Sequence, residues 1–392
     1  MKKILIIHHG IGVGGGLIAL LGLIEEIKKK NEVRVLSLFN SEAVEYIKKT
    51  GVEVYLPKSK FYSKFYRLFI HSEASYFSVI EFLESFKNIL MFFLNQFFFA
   101  KRELKSLDFD YDIVYLNSTF ISEWSMASKK LGKKTIIHVR EPLAKGFLGI
   151  RKAIIRNVIK QYCDRIIAIS YDNAERVDLR NITTVVYDPV VFKGRHTSIK
   201  ILPDPKYKYF LYLGGMQRIK GFEQFVKSLS NINDDVRIYF LGGDYIHSGN
   251  KMKRIISIID PYMWRINSLI ARLNQSDKII KIGLVDNIFD YYSSSIALIS
   301  PFSKPHASLP ILEAFSIGKP VIVSDIEGMS EIVSVQNGFF FKNNNYKELA
   351  IVINKIAKLD SIQYQIISEN AKRKYDEILG KNASVQFVID GI

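Results

Sequence analysis

Cysteine is all but missing: Cys163 is the one thiol in 392 residues. That excludes a disulfide scaffold and a cysteine-ligated zinc site, and it fits a reducing compartment. Long apolar runs are missing too. A bilayer-spanning helix needs about 20 predominantly apolar residues. The best stretch, 88–100, is 13 residues long and contains Asn88, Asn95 and Gln96, so no span is expected. Met1-Lys2-Lys3 leads into a short apolar run, Ile4-Leu5-Ile6-Ile7, which His8-His9-Gly10 ends without a small-residue cleavage site. No signal peptide is expected there. Helix-turn-helix, zinc-finger and RNP-like signatures are also absent, which argues against nucleic acid. What is present is core-forming material: 48% hydrophobic residues against 24% charged. Such a chain is not a disordered polymer, and its length implies two or three domains at roughly 100–200 residues each.

The net charge of +16 is unevenly placed. Residues 1–200 hold 32 Lys and Arg against 20 Asp and Glu, and residues 201–392 hold 23 against 19. A uniform lysine bias would load both halves, so the asymmetry points to something anionic near the first.

Short β-branched runs alternate with helical patterns. Strands are expected at 4–8, 33–38, 52–56, 113–116, 135–139 and 165–169, with a helix over 17–30 after the first. Asp188-Pro189, Gly194 and Pro203-Asp204-Pro205 then mark a linker. The alternation restarts with strands at 209–213, 236–241, 278–282, 296–300 and 320–323, and helices over 222–229 and from about 309. Strand–helix alternation of this kind implies right-handed crossovers and parallel sheets. The expected fold is α/β, with two Rossmann-like domains facing across a cleft. Residues 1–200 form the first, acceptor-side domain and 201–375 the second, donor-side domain. A helix in 376–392 is expected to pack back toward the first.

Three glycine- or proline-punctuated turns follow predicted strands. Gly10-Ile11-Gly12-Val13-Gly14-Gly15-Gly16 satisfies G-x-G-x-x-G. A dinucleotide site also needs an acidic residue closing the second strand, and Val33–Asn40 has none. A loop accommodating an anion or substrate, or a plain structural turn, are the other readings. Gly214-Gly215-Met216-Gln217-Arg218-Ile219-Lys220-Gly221 puts two cations on a glycine turn, which suits a diphosphate; a solvated basic loop is the alternative. In the third, Ser308 is a good N-cap, Leu309 and Pro310 open a helix, and Glu313 lies one turn in, able to accept from ribose hydroxyls or to serve merely as a salt-bridge partner. Pro305 and His306 precede it.

As an ordered set over 209–341, these runs resemble the donor domain of family-4 glycosyltransferases of the GT-B fold. Gly214 to Gly221 is similar to that family's G-R-x-x-x-x-K-G loop, and Ile282-Gly283-Leu284-Val285 to its nucleotide-side turn. Ser308 to Phe315 with Gly318-Lys319-Pro320-Val321 is similar to its E-x7-E-A helix and following strand. Gly328 to Glu331 and Asn337-Gly338 complete the series. The first half matches more loosely, through Gly10–Gly16, Ile137-His138-Val139-Arg140-Glu141, Ile169-Ser170 and Val185 to Pro189.

The resemblance implies that Lys220 contacts a donor diphosphate and Glu313 the ribose, with Arg218 as a further catalytic cation. His138 takes the place of the family's active-site histidine; a strand-end histidine capping a loop is its plainer reading. Gly14, Gly15, Gly214, Gly215, Leu284, His306, Ser308, Leu309 and Pro310 would line the donor. Two departures stand out. Gly215 replaces the family's loop arginine, and Pro305, beside His306, replaces its first glutamate. The implied activity is hexosyl transfer with retention, from a nucleotide-diphosphate sugar as co-substrate, without a cofactor or metal. A GT-B nucleotide-sugar epimerase, a non-catalytic glycosyltransferase subunit and an NAD(P)-dependent oxidoreductase are the alternatives.

Residues 61–99 hold 14 aromatics, 11 of them phenylalanine. Val79, Phe82, Leu83, Phe86, Ile89, Leu90, Phe93 and Phe97 keep helical spacing, and Lys101 and Arg102 follow. One reading is a core helix. The other is a surface formed by Phe86, Phe93, Phe97, Lys101 and Arg102 that meets an anionic membrane or a polyprenyl-linked acceptor at its cytoplasmic face. The expected protein is cytoplasmic and peripheral to the membrane, working in surface polysaccharide synthesis on saccharide or lipid-linked acceptors, with no nucleic-acid partner.

Overall fold

The structure is a computed structural model. It describes residues 1–12, 14–69, 79–191, 201, 203–242, 261–283, 285, 287–306 and 309–392, with 79–85, 147 and 261–263 described by their backbone. The described residues within Met1–Val191 and Lys381–Ile392 form one compact unit, and those within Phe192–Gly380 a second.

The first unit is built on seven strands: β1 Lys3–His8, β2 Glu32–Ser37, β3 Glu53–Tyr55, β4 Ile113–Leu116, β5 Lys134–Val139, β6 Arg165–Ala168 and β7 Thr183–Val185. They run in the order β3-β2-β1-β4-β5-β6-β7, every pairing parallel. Parallel sheets are covered on both faces, which is why β1 and β4 read as almost unbroken apolar runs. Alternate residues go to opposite sides. Leu5, Ile7, Val114 and Leu116 pack with Trp124, while Ile4, Ile6, Ile113 and Tyr115 pack with Leu17, Leu20 and Ile24 of the Gly15–Ile27 helix. The Val385–Asp390 helix adds Val385, Val388 and Ile389 to that second cluster. It is pinned there by Asn31 Nδ2 donating to Gln386 Oε1 at 2.7 Å and Lys2 Nζ to the Ile389 carbonyl at 2.6 Å.

The second unit has six parallel strands: β8 Lys208–Tyr212, β9 Val236–Leu241, β10 Ile279–Gly283, β11 Ala297–Ser300, β12 Val321–Asp325 and β13 Gly338–Lys342. Their order is β10-β9-β8-β11-β12-β13. Aromatic stacking fills one face, with Tyr212 lying on Phe225 at 4.1 Å between centroids and on Phe240 at 5.2 Å.

In each sheet the chain order reverses between two neighbouring strands, β1 and β4 in one and β8 and β11 in the other. Loops leave such neighbours in opposite directions, opening a crevice at the strands' carboxyl ends where ligands of doubly wound sheets bind. Among the described residues, no helix is long and apolar enough to cross a membrane.

Candidate functional site

The loops after β8 and β11 meet at the second sheet's reversal point. Gly221 closes the β8 loop at φ +75°, and a Cβ there would lie 1.5 Å from the Pro301 carbonyl oxygen, so only glycine fits. Gln224 Nε2 donates to that same carbonyl at 2.6 Å. The Ser303 N–H donates to the Ile219 carbonyl at 2.9 Å, and Ser303 Oγ to that of Arg218, also at 2.9 Å. From below, the buried Tyr212 hydroxyl lies 3.1 Å from the Gly215 carbonyl oxygen and 3.4 Å from that of Lys220. The turn carrying Lys220 is therefore tied on two sides before any ligand arrives.

Glu313 stands on the Leu309–Ser316 helix that follows β11. It is 8% exposed and accepts from the Tyr292 hydroxyl at 3.0 Å. Burial pushes its carboxyl up, opposed by Tyr292 and by the Lys220 charge. Burial also lowers the Lys220 ammonium, with Glu313 opposing. Burial and then the Lys220 charge bring the His306 imidazole down to about 4, so it is neutral at pH 7, and its buried Nδ1 has no hydrogen-bond partner. The Lys220 charge thus acts on both a neutral imidazole and an oriented carboxylate at one sheet edge. Such a set suits a ligand carrying both anionic and hydroxyl groups. Arg218, Leu309 and Pro310 border it, half-buried. Gly215 is buried at φ +51°, and Gly214 is packed so that a Cβ would come within 2.0 Å of the Tyr212 hydroxyl oxygen. Leu284 and Ser308 lie outside the described residues.

At the first sheet's reversal point, a polar chain links four strand ends. His8 Nδ1 lies 3.2 Å from Asn117 Nδ2, Asn117 Oδ1 accepts from Arg140 Nε at 2.9 Å, and Arg140 Nη1 pairs with Asp188 Oδ1 at 2.6 Å. Burial brings His8 down to about 3 and His9 to about 4. Beside this chain, Ser118 and Thr119 hydroxyls donate to Glu141 Oε2 at 2.9 and 3.3 Å. Burial raises the Glu141 carboxyl to about 7 against those bonds and the Arg140 charge. Sequence reasoning fixed on His138, which is 2% exposed inside β5, with Nδ1 2.7 Å from the Tyr115 hydroxyl. The groups that crowd the strand tips are Arg140, Glu141, Asn117 and Asp188, none of which it assigned a role. The signal available for Asn117, Arg140 and Glu141 was their place just past the last apolar residue of a predicted strand; Asp188 follows β7, where no strand was expected.

Gly14 caps the Gly15–Ile27 helix, and a Cβ on Gly12, Gly14, Gly15 or Gly16 would touch nothing within 4 Å. The fold itself does not require these glycines. Sequence reasoning also passed over one Asp-x-Asp run, Asp108-Phe109-Asp110-Tyr111-Asp112. The structure puts it at the amino edge of the sheet, where Asp110 pairs with Lys133 and Asp112 Oδ2 accepts from the Lys3 N–H. Among the described residues, no three His, Cys, Asp or Glu side chains group as a metal site.

The aromatic segment divides. Phe61, Tyr62, Tyr66, Phe69 and Phe92 are core, and Phe93 packs partly buried against them. Phe86, Leu90, Phe97 and Phe98 are 59%, 55%, 51% and 66% exposed. Arg102 is exposed beside them and Lys101 half-buried. The side chains of Val79, Phe82 and Leu83 lie outside the described residues.

Two parallel sheets of this order define the GT-B class of α/β folds. Residues 195–374, most of the second unit, match the glycosyl transferases group 1 family. The chain is 23% identical over 328 residues to an uncharacterized glycosyltransferase of Methanocaldococcus jannaschii, covering 82% of this chain and 76% of that one. Solved structures share the fold over the full length. HepE of Anabaena, in complex with UDP and glucose, superposes with a TM-score of 0.73 at 15% identity, covering 100% of both chains. A glycosyltransferase of Rickettsia africae gives 0.66 at 18%, covering 100% of this chain and 96% of that one. A mutant TarM of S. aureus in complex with fondaparinux, alpha-GlcNAc-glycerol and UDP gives 0.65 at 12%, covering 100% and 98%.

Proposed function

We propose that this protein is a family-4 glycosyltransferase that moves a hexosyl group from a nucleotide-diphosphate sugar to a saccharide or lipid-linked saccharide, with retention, in surface glycan synthesis. The observation that carries the reading is the Lys220–His306–Glu313 set at the second sheet's reversal point, within the residues matching group 1 glycosyl transferases. Breaking the sugar–phosphate bond leaves negative charge on the departing diphosphate. Lys220, with Arg218 near it on the loop, supplies fixed positive charge there, so the reaction needs no metal. Glu313 accepts from the ribose hydroxyls, and neutral His306 faces the sugar. The unfilled space around Gly12, Gly14 and Gly15 leaves room for a ligand to approach the first unit's backbone. A panel of nucleotide sugars, scored for nucleoside diphosphate release with and without lipid-linked acceptor, tests this. Release that depends on acceptor is expected. Donor consumption without a transfer product would instead indicate an epimerase.

The exposed Phe86, Leu90, Phe97 and Phe98 stand among Lys87, Lys101, Arg102 and Lys105 in the more basic half of the chain. Apolar side chains with flanking cations favour an anionic bilayer surface, so the acceptor is lipid-linked and met at the membrane. Co-sedimentation with vesicles containing anionic lipid is expected, weakening as salt rises. Each of Phe86→Ser and Phe97→Ser should lower partition about tenfold, taking ~1.5 kcal/mol per buried phenylalanine. Binding indifferent to salt, to lipid charge and to both substitutions would remove the membrane from the reading.

A further inference from the structure

A carboxylate that reads a pair of hydroxyls must keep its oxygens where the hydroxyls arrive, and one buried phenol does this for Glu313. Tyr292 stands on the Phe289–Ser293 helix, sealed at 1% exposure, with its ring against Phe289 at 5.8 Å between centroids. Its hydroxyl lies 2.9 Å from the Pro310 carbonyl oxygen and 3.0 Å from Glu313 Oε2. Pro310 and Glu313 are three residues apart, so both acceptors belong to one face of the Leu309–Ser316 helix. The phenol has one proton for the two of them, and a charged acceptor takes the stronger share. Burial, then the Glu313 charge, holds the hydroxyl well above the ordinary phenol range, so it remains a donor. Tyr292 is itself braced. Lys319 Nζ donates to the Ser293 carbonyl at 3.1 Å and to that of Ser295 at 2.8 Å, tying the end of the Tyr292 helix to the turn before β12. Among the described residues, Glu313 Oε1 has no hydrogen bond, which leaves it for a ligand.

We propose that Tyr292 is a positioning residue for Glu313 and thereby makes the site select a ribonucleotide over its 2′-deoxy counterpart. This rests on the reading in which Glu313 accepts from ribose hydroxyls. With Oε2 fixed by the phenol, the carboxylate meets the 2′- and 3′-hydroxyls in one orientation and does not turn to follow a single one. A sugar lacking one hydroxyl then leaves a buried carboxylate oxygen unpaired, which is how a polar site rejects such an analogue. Freed from the phenol, the side chain rotates to whichever hydroxyl remains, and the two sugars become nearly equivalent. Sealed as it is, Tyr292 acts only through Glu313. The ribose lies away from the bond that breaks, so the contact is made equally in the ground state and the transition state. Its contribution therefore belongs to donor binding and not to the chemical step.

The test compares wild type with Tyr292→Phe, which removes the hydroxyl and keeps the ring. Calorimetry gives the affinities of UDP, ADP, GDP and CDP, each beside its 2′-deoxy form. In the wild type, the best ribonucleotide should bind about 10-fold to 100-fold more tightly than its deoxy form, the range of one hydrogen bond to a charged group. In Tyr292→Phe that ratio should fall below about threefold, and the loss in turnover should fall on the nucleotide-sugar KM, raised about tenfold, rather than on kcat. In a Glu313→Gln background, Tyr292→Phe should leave the ratio unchanged, since the carboxylate it acts through is gone. That pair also decides the matter if the single variant does not fold, because it strands no buried charge. A wild type that binds ribo and deoxy forms alike, a Tyr292→Phe that keeps the full ratio, or a further fall in the Glu313→Gln background overturns the assignment and leaves glycosyl transfer standing. Selective nucleoside diphosphate binding without sugar transfer does the reverse. If the wild type binds no nucleoside diphosphate, both fall.

Discussion

Alanine at Lys220 should lower kcat about 10²-fold to 10³-fold, equivalent to about 2.7–4 kcal/mol of transition-state stabilisation. Lys220 has a buried ammonium that interacts electrostatically with Glu313. It is tied in place through its backbone by Tyr212, Ser303 and the obligate Gly221, and its reorganisation during reaction is accordingly small. Charge develops on the leaving diphosphate as the bond breaks, and the loss should therefore fall more on kcat than on KM. Lys220→Arg keeps the charge in a different shape and should recover part of it. The sign with pH also follows. Burial brings the ammonium below the ordinary lysine range, so activity should decline toward alkaline pH earlier than an ordinary lysine would dictate. Steady-state rates of Lys220→Ala equal to wild type would remove the diphosphate role, and with it the central claim about the second unit.

The fold was legible because parallel sheets announce themselves. Runs such as Ile4-Leu5-Ile6-Ile7 and Phe210-Leu211-Tyr212 are apolar throughout, since helices cover both faces of such strands. β7 and β13 escaped notice for opposite reasons. Thr183–Val185 is a short, half-buried edge strand without an apolar signal, and Gly338–Lys342 opens on a glycine that resembles a turn. In the site, Lys220 and Glu313 were legible because each lies on a loop or helix that punctuation marks out. The charges that bind them to His306 were not legible, since they arise from burial. Glu141 and Arg140 stayed hidden for a further reason. His138, two residues earlier, carried the family resemblance, and only the three-dimensional register shows that it points into the strand's packing while its neighbours occupy the tip. The phenylalanine-rich segment offered two readings, and each holds for part of it: Phe92 is 2% exposed and Phe97 51%.

Leucine at Arg140 should cost about 3–5 kcal/mol in the first unit, the range found when one partner of a buried ion pair is removed. Arg140 is 7% exposed and bonds both Asp188 and Asn117, so its loss strands a buried carboxylate and an unsatisfied amide oxygen together. Trp124 makes the measurement specific, because it is 0% exposed in the first unit while Trp264 of the second is 63% exposed. The urea midpoint followed by its emission should drop accordingly. Burial already raises the Asp188 carboxyl, with Arg140 opposing, so the folded state binds this proton more tightly than the unfolded chain. Stability therefore falls as pH rises from the ordinary carboxylate range through the raised folded value. Removing Arg140 raises that value further, and the variant's deficit should be larger at pH 7 than at pH 4. Adding Asp188→Leu to Arg140→Leu should recover most of the loss, since an apolar pair of similar volume leaves no charge behind. A deficit under 1 kcal/mol, a deficit indifferent to pH, or a double variant no better than the single one would each show that the pair does not hold the strand tips.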